Sequence, residues 1–200
     1  MNHDAIKSTI QSLQYVYTVV LALSLGEAIR QVVADNVNDV GKIHWDRTLN
    51  LASFLLLIVP FLQGMNRYFF DIYLNPGPPN PYAGRLLVDG FVFTVESSLF
   101  FVLARSLPKV QWPRFNLTVV VLLALDAAWG FVTWRLHGGT VGKWVIYDIL
   151  TLPLLLPILI FFKSKRDSWI GPILCVLTML GRTILDYFCS WDFYFPGVRG

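Results

Sequence analysis

Residues 50–74 read NLASFLLLIVPFLQGMNRYFFDIYL. About 20 apolar residues make one bilayer crossing, and this run exceeds that length with its first charge at Arg67. It ends in a polar ladder of Gln63, Asn66, Arg67 and Asp71. Arg67 and Asp71 are four residues apart, so a helix puts them on one face within ion-pair reach. Such groups are costly at the edge of a bilayer and usually face protein or a water-filled cavity. The same Arg-x-x-x-Asp step recurs at Arg85–Asp89 and at Arg182–Asp186.

Outward from this stretch the chain keeps the same character. Hydrophobic residues make up 55% of the 200, charged residues 14%, and the mean hydropathy is +0.56. Soluble domains carry about a quarter charged residues, so the bilayer is the expected partner. Seven Trp and eight Tyr suit two interfacial belts. A scattered net charge of +3 gives no basis for binding nucleic acid. Cys175 and Cys189 fall on one predicted helix, roughly 21 Å apart along its axis, and are expected as free thiols.

Six spans follow, at about 12–33, 50–74, 86–107, 116–136, 143–162 and 169–189. The predicted fold is all-α, a polytopic integral membrane protein whose single domain is a bundle of six transmembrane helices. The first run follows a polar opening, is too long for a signal-peptide core and lacks a small-residue cleavage site, so it is expected to be retained. Proline forbids a regular helix at residues 75–81, and Gly138 with Gly139 breaks the chain before span five. Pro153 and Pro157 predict a bend within span five. Lys and Arg are denser in the loops after spans one, three and five. By the positive-inside rule this places both termini outside the cytoplasm of a cell (inner or plasma) membrane.

Alternating spans then sort the charges. Arg67 and Asp71 close span two, Asp89 opens span three, Asp148 opens span five, and Arg182 with Asp186 lies late in span six. All six approach the face that carries the termini. Glu96 and Asp126 sit near mid-depth, and Glu27 with Arg30 lies toward the second face. Seven steps of about 100° bring Glu96 within roughly 20° of Asp89, two turns deeper.

This distribution predicts a net acidic vestibule narrowing to Glu96 and Asp126, the marking of a cation, proton or small-solute pathway in a membrane transport protein. A chain this short is expected to assemble as a homo-oligomer. Each Arg–Asp step also has a plainer reading, as a clamp between helices. A membrane-embedded sensor, anchor or effector subunit is the alternative, gripped by a protein partner at the basic loops Lys42–Arg47, Lys109–Arg114 and Lys163–Arg166. An intramembrane lipid-modifying enzyme is the third reading. His3, His44 and His137 lie at span margins without ligand spacing, so no metal is expected. With no Gly-x-Ser-x-Gly and no phosphate loop, neither a catalytic nucleophile nor a cofactor is expected. Acid–base work by Glu96 and Asp126 is the enzymatic possibility that remains.

Overall fold

The computed structural model describes residues 3–33, 43–74, 83–137, 141–165 and 168–195. Residues 75–81, the Gly138–Gly139 break, Lys42 and Arg166 lie outside that set. Among the described residues, six helices are long and apolar enough to cross a bilayer. They are α1 (His3–Val32), α2 (Thr48–Phe69), α3 (Ala83–Arg105), α4 (Trp112–His137), α5 (Val141–Phe162) and α6 (Ile170–Cys189), followed by a short α7 (Trp191–Tyr194). The chain is thus an all-α, multi-span helical membrane protein, with buried acidic and basic residues joined in salt bridges.

Around the bundle the helices follow the order α1, α3, α4, α5, α6, α2, and α2 closes the circuit against both α1 and α3. Cross-helix bonds record the alternation of direction. Asn50, at the start of α2, donates to the Leu107 carbonyl just past α3 at 2.8 Å, while Tyr68, at the end of α2, reaches Asp89 near the start of α3. The even-numbered α2 and α6 run parallel, with Thr183 reaching Leu56 and Tyr187 reaching Gln63.

The distribution of side chains is inverted relative to a soluble protein. Leu87, Phe91, Phe161 and Phe188 are each at least 70% exposed, whereas Asp89, Glu96, Asp148 and Asp186 are buried. An exposed apolar surface on this scale fits lipid. Between helices in lipid, close approach and hydrogen bonds do the packing. At Gly171 a Cβ would stand 2.6 Å from the Trp112 ring, so only glycine lets α6 begin so close to the start of α4.

Two local departures from a regular helix shape the interior. Pro60 lacks an N–H, which leaves the Leu56 carbonyl without its usual donor. The Thr183 hydroxyl of α6 donates to that carbonyl at 3.0 Å. At its end α2 widens into a π turn over Phe70–Leu74. In a regular helix five residues turn through about 500°, leaving Tyr73 about 140° away from Tyr68. Past the wider turn, both hydroxyls reach the same carboxylate.

Candidate functional site: two buried carboxylate centres

The three Arg-x-x-x-Asp steps occupy three different settings. Arg67 and Asp71 pair at 2.9 Å, each about a quarter exposed, with Arg67 also over the Phe70 ring. This is a rim contact. On the same ladder Gln63 accepts a hydrogen bond from Tyr187, and Asn66 is exposed.

Asp89 forms the first buried centre. The Tyr68 and Tyr73 hydroxyls donate to its Oδ2 at 2.7 and 2.6 Å, and the Trp129 indole N–H donates to Oδ1 at 3.0 Å. Arg85 lies 3.7 Å from Oδ2 and donates to the Tyr68 hydroxyl at 3.1 Å. Three neutral donors and one cation saturate this carboxylate. The rings of Tyr68, Phe93 and Trp129 pack edge to face around it.

The second centre is far less satisfied. Arg182 (α6) donates from Nε and Nη2 to Asp148 Oδ1 (α5) at 2.9 and 2.5 Å. Its Nη1 is 3.9 Å from Asp186 Oδ2, which accepts the Tyr194 hydroxyl at 2.8 Å. The principal partner of Arg182 is therefore on a neighbouring helix, and the Asp186 step is secondary. Asp126 (α4) stands within electrostatic range of Asp148 and Glu96. Glu96 (α3) is fully buried, and neither of its oxygens has a hydrogen-bond partner among the described residues. Asp148 Oδ2 and Asp186 Oδ1 are likewise buried without a donor.

A cavity of about 30 Å³ has Glu96, Asp126, Arg182, Asp186 and Tyr194 in its wall, with Trp129 between it and Asp89. On the α2 side the wall is apolar, formed by Pro60, Phe61, Gly64 and Met65. Phe100 meets Phe61 and Phe54 edge to face at 5.3 and 6.0 Å, and Phe61 also carries the Arg182 guanidinium at 5.8 Å from its centroid. At the other end Tyr194 sits past the last span. Burial, then the charge of Asp186, pushes its phenol above the ordinary value, which keeps it a proton donor at neutral pH.

Four carboxyl groups (Glu96, Asp126, Asp148 and Asp186) thus share one guanidinium. Unbalanced charges are very costly in a dry interior. The centre therefore needs protons or cations for balance. That is the chemical capacity the arrangement offers.

Of the residues singled out from the sequence, Glu96, Asp126, Asp148, Arg182 and Asp186 come together. Asp89 stands apart behind Trp129, and Arg67–Asp71 stays at the rim. Glu27 and Arg30 pair with each other at 2.8 Å near the end of α1, with Gln31 also donating to Glu27 at 2.9 Å. Sequence reasoning missed Tyr68, Tyr73 and Tyr194 as carboxylate partners. The five-residue Tyr68–Tyr73 spacing matches no regular helical face, and the π turn that reconciles them leaves no composition signal. Comparison with protein family models, with curated proteins and with solved structures finds no match.

Proposed function

We propose that this is a membrane transport protein whose path for a cation, a proton or a small solute passes through the Glu96–Asp126 cavity. Glu96 carries the proposal: a fully buried carboxyl, open to a cavity, with no donor on either oxygen. A purely structural carboxylate in such a place is normally hydrogen-bonded. The Asp89 centre shows what this chain does where that is the need. Arg182 is the tethered countercharge, Asp126 and Asp148 extend the acidic site, and Asp186 with Tyr194 leads to the face where α6 ends. Arg67 and Asp71 form the rim. The bilayer is the immediate partner. The exposed apolar faces of α1 and α5 suit contact with a second copy, so the working unit is a homo-oligomer. The basic loops face the cytoplasm of the cell membrane.

Reconstitution into liposomes tests the pathway. Wild type is expected to pass at least one of proton, sodium, potassium or a small organic cation, and the Glu96→Gln, Asp126→Asn double variant to lose that flux. Unchanged flux of every species in the double variant would refute the assignment.

The saturated Asp89 centre favours a second reading: a membrane-embedded sensor, anchor or effector subunit with paired, dry charges and a protein partner at the basic loops. A stoichiometric partner that co-purifies through Lys109–Arg114, together with silent liposomes, would be its signature.

A further inference from the structure

We infer that the species handled in the cavity is the proton, passed between Glu96 and Asp126 through water held there. This inference rests on the pathway reading of the same cavity and narrows its substrate.

Size is the first constraint. A cavity needs about 10–15 Å³ to hold one water by this measure, so about 30 Å³ accommodates one or two. An alkali ion with its full hydration shell needs more room than one or two waters. A dehydrated metal cation meets a second obstacle, because Arg182 already stands in the wall. Its guanidinium holds Asp148 at 2.5 Å, and like charges at close range repel strongly in a low-dielectric interior. A proton escapes both limits, since it is taken up into a neutral carboxyl group.

Hydrogen bonding is the second constraint. Ionised carboxylates only accept hydrogen bonds. Asp126 and Asp148, within electrostatic range of each other, repel when both are ionised, and a proton on either one relieves that repulsion. Glu96 has two oxygens free to give or receive a proton across the cavity. Every element packed around Glu96 can be accounted for. From α1 comes the Tyr17 hydroxyl, buried without a hydrogen-bond partner and within electrostatic range of Glu96 and Asp126. From α4 and α6 come Asp126, Arg182 and Asp186, Asp148 of α5 acts on Glu96 electrostatically, and the α2 residues that line the cavity are apolar.

The transfer balances simply. The O–H bond of protonated Glu96 breaks as its proton joins a cavity water. That water releases another of its protons to the Asp126 carboxylate, forming a new O–H bond there. Water is regenerated, Glu96 is left as the carboxylate, and one negative charge has moved from Asp126 to Glu96. The Phe54, Phe61 and Phe100 rings meet edge to face on one side of the site, and the Asp186–Tyr194 hydrogen bond marks the polar side, from which loading takes place in this proposal.

The experiment uses the full chain in liposomes that contain a pH-reporting dye, with the membrane potential set by a potassium gradient and valinomycin. Wild type is expected to move protons at a rate unchanged when sodium is replaced by choline, and both Glu96→Gln and Asp126→Asn to lose that movement. Tracer flux of sodium or potassium that needs Asp126, without proton flux, would overturn the proton inference and leave the pathway reading standing. Absence of any flux would overturn both. Infrared spectroscopy guards against misfolded variants. Wild type should show a carboxylic C=O stretching band that shifts in heavy water and is reduced in Asp126→Asn protein of unchanged helical content. No such band in wild type would overturn the inference whatever the flux.

Discussion

Asp89 and Glu96 lie on one face of α3, two turns apart, in opposite electrostatic settings. Removing the side chain of Asp89 strands a guanidinium and three neutral donors in a buried site. Asp89→Ala should therefore destabilise the protein by about 3–5 kcal/mol, as for other broken buried pairs. Arg67→Gln, at the part-exposed rim, should cost under about 1 kcal/mol. Glu96→Met should behave in the opposite sense, because it replaces a carboxyl that no donor offsets with an apolar side chain of similar length. Stability equal to wild type or higher by about 1–4 kcal/mol is expected, together with loss of transport. Thermal unfolding in detergent reads all three variants, and a large destabilisation by Glu96→Met would count against an unsatisfied carboxyl there. The seven-residue spacing made the shared face legible in the sequence. Their different partners were not, because the tyrosines come from the end of α2 and are aligned only by its π turn.

The elements themselves were the most legible level. Six apolar runs of span length, separated by prolines, glycines and basic turns, correspond to six helices long and apolar enough to cross a bilayer. Helix α1 is the main difference, since its polar opening is helical from His3. The links between elements were harder to foresee. Pro60 predicted a freed carbonyl, but nothing in the sequence named Thr183 as its donor. Thr183→Val should cost about 1 kcal/mol in the wild-type background. In a Pro60→Ala background the restored N–H serves Leu56 itself, so most of that cost should vanish. A double-mutant cycle that shows no coupling would reject this account of the α2–α6 contact. Gly171→Ala places a methyl group against a buried Trp112 ring at 2.6 Å. A loss of about 1–3 kcal/mol is expected from overpacking, measured by the unfolding midpoint, and an unchanged midpoint would show that the start of α6 can shift.

At the scale of the whole molecule, the ring of helices turns charges scattered along the sequence into two centres with different settings. Alternation of spans brought Asp89, Asp148, Arg182 and Asp186 toward one face, and this followed from span counting alone. Their division into a saturated centre and a hungry one depends on which helices are neighbours. Arg182 faces Asp148 because α5 and α6 are adjacent in the ring, a fact that spacing along a single helix does not encode. Trp129 then separates the centres, with its N–H on Asp89 and its ring in the cavity wall. The central claim is that the hungry centre carries charge across the membrane. The most direct measurement is the transient current when a pH step is applied to proteoliposomes adsorbed on a solid-supported membrane. Wild-type protein should give a current that scales with protein density, and Glu96→Gln protein at equal density should give none. Equal currents from the two would contradict the account.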